Sequence, residues 1–257
     1  MKVYSKESLI EALKAIRERG WIETQRKNNN SAVGHTLEDL LGIKENNLPL
    51  PNAAEWEIKA QKKHSTALVI LFHMEPSPRS FRFVSNILLP EFGWVHRNAG
   101  DQYPETEKSF RQAVHARGYN SRGFIVKLDR QDGKIWIRFD ADAIDISAHG
   151  QWYQEVAGKS LNEVPYWGFD DLFHKAGTKL HNCFLVVAES KKINDALYFH
   201  YQDIFMLEKL SKDAFVDAVE KGYVYIDFDA RTGHNHGTKF RLRSSALLNL
   251  YDEVRKY

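Results

Sequence analysis

A single cysteine among 257 residues excludes a disulfide within the chain and any zinc site built from several thiolates. That residue, Cys183, stands in the apolar run Cys183-Phe184-Leu185-Val186-Val187 and reads as a buried, inert thiol. An excess of charge of either sign is also missing: 36 basic residues face 34 acidic ones. Total charge therefore announces no partner, and any partner has to be read from local patterns. No apolar run approaches the roughly 18 residues of a bilayer span. Residues 1–16 alternate charged and apolar side chains and lack a signal-peptide core. Repeats, low-complexity tracts and long linkers are absent too. The expectation is a soluble cytoplasmic protein with no membrane partner. Its 43% hydrophobic content suffices for one large domain or two closely packed lobes.

What is present is a succession of short periodic segments. Leu9, Leu13 and Ile16 recur at helical spacing after Ser5 and stop at Gly20. The polar stretch 24–31 holds Arg26, Lys27 and three asparagines, either a phosphate-touching loop or a solvated one. A second helix opens at Gly34 and ends at Gly42. A strand is expected over 55–60, and the apolar run 67–72 reads as a strand covered on both faces. Strands over 123–128 and 134–139 flank Asp132-Gly133, a strong hairpin signal. Further on come a helix over 169–179, strands over 184–188 and 198–206, and a helix over 213–221. Strands over 223–228 and 239–243 follow, and a closing helix over 245–256. Residues 90–119 are rich in aromatic and polar side chains and resist assignment.

Chemistry gathers at Pro51-Asn52-Ala53-Ala54-Glu55-Trp56-Glu57-Ile58-Lys59. On a strand, Glu57 and Lys59 point to one face. A carboxylate beside an ammonium can bind a divalent cation and stabilise a nearby oxyanion. The same Glu-x-Lys spacing is also common on plain solvent-facing strands. An acid five residues before Glu57 would complete a two-carboxylate site, but position 52 is Asn.

The surrounding residues carry a resemblance. Val33-Gly34-His35-Thr36-Leu37-Glu38, then Asn46-Asn47 and Glu57-Ile58-Lys59, is similar to the MvaI/BcnI group of restriction endonucleases. More distantly, the segment resembles the mismatch-repair nicking enzyme MutH. Val69-Ile70-Leu71-Phe72-His73 with Pro76 fits the next strand of that group. His234-Asn235-His236-Gly237-Thr238-Lys239-Phe240-Arg241 resembles its His-x-His-Gly-Thr-x-Phe-Arg block. Tyr166-Trp167-Gly168-Phe169-Asp170 and Ala188-Glu189-Ser190-Lys191 match in position and type. The likeness spans about residues 20–250 and is weakest over 80–160.

This resemblance implies an α/β fold of the PD-(D/E)XK type, a mixed sheet flanked by helices. It implies a catalytic region, roughly 1–90 plus part of the C-terminal half, and a recognition region, roughly 90–165 and 223–243. Duplex DNA would lie in a cleft between them. The implied activity is Mg²⁺-dependent hydrolysis of phosphodiesters in double-stranded DNA, leaving 5′-phosphate and 3′-hydroxyl ends. The implied site is short and G·C-rich, the enzyme a monomer, and its companion in the cell a cognate DNA methyltransferase. Carried onto this sequence, Glu57 becomes a metal ligand, Lys59 the catalytic lysine and position 52 the other metal-binding acid. Glu38 either supports metal or water, or merely packs its helix.

Asn52 complicates that implication. A carboxylate offers Mg²⁺ two anionic oxygens, whereas a carboxamide offers one neutral oxygen and an NH₂ that repels a cation. Three readings follow: an aspartate exchanged for its isostere, another acid such as Glu55 or Glu38 in its place, or a relative that binds DNA without cutting it. A strand nickase like MutH is a further alternative.

The second block offers base-reading groups. Asp227, Asp229, Arg231, His234 and His236 lie on an expected strand end and loop, and Lys239, Arg241 and Arg243 alternate on one strand face. Arginine can bond bidentately to guanine and aspartate can accept from cytosine. A mixture of acids and bases suits base edges better than phosphates. By spacing alone, His-x-His serves equally as a metal pair or a polar turn. Lys62, Lys63, His64, Arg79, Arg82 and Arg97 are either backbone contacts or plain surface.

Overall fold

The computed structural model describes residues 4–26, 31–43, 53 and 55–257. The described chain runs α1 (Lys6–Glu18), β1 (Ile22–Glu23), α2 (Ala32–Leu41), β2 (Glu57–Lys62), β3 (Leu68–His73), α3 (Leu89–Phe92) and β4 (Trp94–Val95). Then come β5 (Lys108–Val114), β6 (Arg122–Asp129), β7 (Lys134–Ile144), α4 (Ile146–Val156), β8 (Tyr166–Gly168) and α5 (Phe169–Leu180). The remainder is β9 (Asn182–Ile193), β10 (Ala196–Leu210), α6 (Lys212–Glu220), β11 (Val224–Arg231), β12 (His234–Asn235), β13 (Lys239–Arg243) and β14 (Tyr251–Lys256). The fold is mixed α/β, and the chain divides into two compact units.

The first unit takes Met1–Val69, Ala176–Phe215 and Arg243–Tyr257. Its sheet has the order β1-β10-β9-β2, with β14 added to β10. The β2–β9 pair is parallel and the others antiparallel, so the sheet is mixed as expected. Helix α1 starts where the Ser5 side chain accepts the Ser8 amide, an N-cap that satisfies one free donor. It buries Leu9, Ile10, Leu13 and Ile16, the apolar stripe of a 3.6-residue period. Helix α2 begins at Ala32, two residues before Gly34, and ends at Gly42 with φ 70°. There the Ile43 amide reaches back to the Glu38 carbonyl, the glycine-terminated helix end that the sequence called for. Both helices join one core with Trp56, Ile58, Phe184, Val186, Phe199 and Tyr201.

The second unit takes Ile70–Lys175 and Val216–Leu242. One of its sheets has the order β3-β13-β11-β5-β4, with β12 on β11; the other is β6-β7-β8. Phe92, Phe110, Phe124, Phe139 and Trp152 pack as edge-to-face and tilted pairs at 4.8–6.4 Å between ring centres. Such pairs add specific geometry to apolar burial. Asp132-Gly133 turns β6 into β7, with Gly133 at φ 62°. The unassigned stretch 90–119 contributes the edge strand β4 and the central strand β5.

Three expectations need correction. Strand β3 is at an edge and exposes Ile70, so an apolar run did not mean two covered faces here. Residues 245–256 form short 3₁₀ turns and then β14, not a helix. The strand expected from residue 55 begins at Glu57. Before it, Ala53 and Trp56 exchange backbone hydrogen bonds, closing a turn that holds Glu55 exposed. Glu55 therefore does not share the strand face of Glu57 and Lys59.

Candidate active site and nucleic-acid interface

Strand β2 sits beside β9 with Glu57 level with Cys183 and Lys59 level with Leu185. Ile58 points into the helix-covered core. The alternation puts Glu57 and Lys59 on the other face. That face is covered too. Glu57 is 2% exposed, and the Tyr251 hydroxyl, donating to the Leu180 carbonyl at 2.8 Å, ties the end of α5 down nearby. Burial, and then the negative charge of Glu57, pushes the Cys183 thiol up to about 12. This is the inert cysteine expected, in an apolar and electronegative setting.

Glu57 and Lys59 meet at 2.6 Å between Oε1 and Nζ. A second ammonium, Lys179 on α5, stands 3.6 Å from the same oxygen. The other oxygen, Glu57 Oε2, is buried and has no hydrogen-bond partner among the described residues. A buried carboxylate oxygen without a donor is costly. Oxygen ligands of this kind are what hard divalent cations take, so the residue present fits a cation at that oxygen. Lys179 was not legible in the sequence. Its local pattern is that of an ordinary helix end, and only the tertiary fold brings it to Glu57.

Asn52 lies outside the described residues. Glu38 is half-buried on α2, which packs on β2. Among the described residues, no group of three His, Cys, Asp or Glu side chains gathers as a metal cluster.

The second block is a charged sheet face in the second unit. Strand β11 alternates, with Val224, Ile226, Phe228 and Ala230 buried. Asp227, Asp229 and Arg231 lie on its half-exposed face. On β13, Lys239 and Arg241 take the corresponding positions around buried Phe240 and Leu242; Arg243, the last residue of the strand, belongs to the first unit. The charges pair across strands. Arg241 donates to Asp227 at 3.0 Å, Lys239 to Asp229 at 3.3 Å, and Arg111 of β5 lies 3.3 Å from Asp229. Arg231 donates to buried Glu107 at 3.0 Å and stacks over Tyr103. Arg111, Glu107 and Tyr103 come from the stretch that resisted assignment.

After Arg231 the chain turns through Thr232-Gly233, with Gly233 at φ 72°, so that His234 pairs with Arg231. His234 and His236 are exposed, their rings edge-to-face at 4.3 Å. They are the tip of this face.

Of the other cations named from sequence, Lys63 is paired with Glu189 at 2.9 Å, and its ammonium holds that carboxyl below its usual range. Lys62 lies over the Phe199 ring. His64, Arg79, Arg82 and Arg97 are exposed. A cavity of about 250 Å³ in the second unit is lined by Trp94, Arg122, His149 and Trp152 among others, and none of the predicted site residues lines it. Among the described residues, no helix is long and apolar enough to cross a membrane.

Comparison with known proteins places these features in context. The family model described as "MvaI/BcnI restriction endonuclease family" matches residues 10–251. Among solved structures, "Restriction endonuclease MvaI-cognate DNA substrate complex" is 25% identical with a TM-score of 0.75, covering 98% of this chain and 99% of that one. "Restriction endonuclease MvaI in the absence of DNA" is also 25% identical, with a TM-score of 0.57, covering 100% and 99% respectively. No curated protein sequence matches.

Proposed function

The chain belongs to the MvaI/BcnI restriction endonuclease family, and we propose that it is a Mg²⁺-dependent Type II endonuclease of short, G·C-rich duplex sites, acting as a monomer. The observation that carries the reading is the buried Glu57–Lys59 pair, whose second carboxylate oxygen has no partner among the described residues. Glu57 would hold Mg²⁺ together with the side chain at position 52. When bound, the ion supplies positive charge that neutralises the phosphate as the transition state forms. Lys59 orients the attacking water or stabilises developing charge on the phosphate. Lys179 faces Glu57 Oε1 from the α5 side at 3.6 Å. The products are a 5′-phosphate and a 3′-hydroxyl. Asp227, Asp229, Arg231, His234, His236, Lys239, Arg241 and Arg243 would read the duplex.

Position 52 decides how well this chain cuts. An asparagine there weakens cation binding and withdraws an anionic ligand. Asn52 thus favours a second reading for the chain as it stands, a sequence-specific DNA binder that cuts poorly or not at all. Both readings keep the DNA-reading face. The test is cleavage of a plasmid carrying many sites, with Mg²⁺, by this chain and by Asn52→Asp. Discrete fragments from the variant and little cutting by the parent are expected. Tight site binding without cutting by either protein would establish the binder instead. Nicking that depends on strand methylation and a helper protein would point to a MutH-like enzyme.

A further inference from the structure

The loop after β3 approaches the histidine loop through one buried residue, Thr238. Its amide donates to Glu75 Oε1 at 2.9 Å, and its hydroxyl donates to Glu75 Oε2 at 3.1 Å. Its carbonyl accepts the Met74 amide at 3.0 Å. All three polar groups of a fully buried threonine are thus met by two consecutive residues. Charge-assisted bonds of this kind, two to one carboxylate, fix orientation as well as distance.

Both partners are themselves pinned. On the Glu75 side, Trp167 Nε1 donates to the Met74 carbonyl at 3.0 Å, and Ser77 and Tyr166 exchange backbone bonds at 2.7 and 2.9 Å. On the histidine side, the His236 amide donates to the Asp229 carbonyl at 3.0 Å, and the Gly237 amide donates to Asn235 Oδ1 at 2.9 Å. Gly237, at φ 80°, allows the chain to turn from exposed His236 into buried Thr238, a conformation most side chains resist. A Cβ at Gly237 would stand 3.6 Å from His73 Cδ2 and 3.9 Å from Glu75 Oε1. Only one residue, Gly237, therefore separates clamped Thr238 from His236.

We infer that Glu75 is a positioning residue for sequence discrimination: its carboxylate clamps Thr238 and so sets where His234 and His236 are presented to the duplex. This rests on the proposed DNA-reading role of that loop. On this inference Glu75 acts through Thr238, whose amide and hydroxyl its carboxylate accepts. Its loss should blur the choice between sequences and leave sequence-independent affinity, set by phosphate contacts, in place.

The experiment retains duplexes from a random-sequence library on the full-length chain in EDTA, sequences them, and then measures affinities for the best site, its single-base variants and unrelated DNA. Glu75→Ala should reduce the ratio of best-site to variant-site affinity by roughly tenfold, with unrelated-DNA affinity and its salt dependence unchanged. Glu75→Gln should recover most of the ratio, because its carbonyl still accepts the Thr238 amide and its NH₂ can donate to the hydroxyl. Thr238→Val, which deletes only the hydroxyl bond, should give an intermediate loss and carries the test if Glu75→Ala does not fold. Wild-type discrimination in both Glu75→Ala and Thr238→Val would overturn the inference. So would an equal loss of affinity for all sequences, tracking a fall in Tm. Failure of the unaltered chain to enrich any motif would overturn the DNA-reading proposal, and this inference with it.

Discussion

The two units both use strands with charges on alternate residues, yet they treat those charges differently. On β2, Glu57 is buried, with one oxygen on two ammonium groups and the other, among the described residues, on none. On β11 and β13, the acids are partly open and share their cations across the ladder: Asp227 with Arg241, Asp229 with Lys239 and Arg111. Half-exposed pairs are worth little, about 0–1 kcal/mol each. They can be exchanged for contacts to a ligand at small cost. Breaking a buried pair by removing one partner costs about 3–5 kcal/mol. The first arrangement suits a fixed site with an unmet demand for positive charge. The second suits a surface that trades internal partners for base edges.

The sharpest break in this comparison is at position 52. If Glu57 is half of a cation site, Asn52→Asp should raise the rate of Mg²⁺-dependent plasmid cutting by about 10²-fold or more, the effect typical of one preorganised electrostatic group. An unchanged rate would mean that the missing carboxylate is not what limits the site. Lys59→Met tests the buried pair itself. It leaves Glu57 with Lys179 alone at 3.6 Å, so a loss near the low end of the range, about 3 kcal/mol, is expected. Thermal unfolding should show it as a Tm drop of roughly 6–10 °C; a drop within 1–2 °C, about the effect of an exposed pair, would remove the contrast between the units.

Arg241→Ala sharpens the other side. It should cost about 1–3 kcal/mol of discrimination at one base position if Arg241 reads a guanine, and uniform weakening over all sequences would make it a phosphate contact. Its effect on Tm should be small. The smallest expected effect is an exposed pair outside both sites, Arg26 with Asp39. The guanidinium of Arg26, hydrogen-bonded to Asp39, holds that carboxyl below its ordinary 3.8. A depressed pKa in the folded state stabilises above the unfolded value and is lost as pH falls through the folded one. The Tm difference between Arg26→Ala and the parent should therefore shrink as pH drops below 3.8. A difference that persists or grows there would assign it to packing.

Legibility in the sequence followed locality. Helix α1, the Asp132-Gly133 hairpin and the alternation of β11 and β13 are set by neighbours in the chain, and each is present in the structure. Residues 245–256 misled because Leu247, Leu250, Tyr251 and Val254 have helical spacing. Their fate is set from a distance: Val254 aligns with Leu207 and Lys256 with Phe205, so the free edge of β10 recruits them as a strand. Tertiary pairing overrides local preference in such cases. The family blocks marked Glu57, Lys59 and the histidine loop, and the fold brings Glu57 and Lys59 into contact. No short-range pattern could disclose that Lys179 meets Glu57, or that Glu75 clamps Thr238. The paired backbone bonds between Ala53 and Trp56, before β2, take Glu55 off the strand face.

The most direct test of the account removes Glu57 from a chain able to cut. Cleavage time courses on a many-site plasmid, with saturating Mg²⁺, would compare Asn52→Asp with Asn52→Asp/Glu57→Gln, and gel shifts in EDTA would compare their DNA binding. The account predicts that the double variant binds DNA like the single one but no longer cuts it. Cutting at the same rate by both proteins would contradict it.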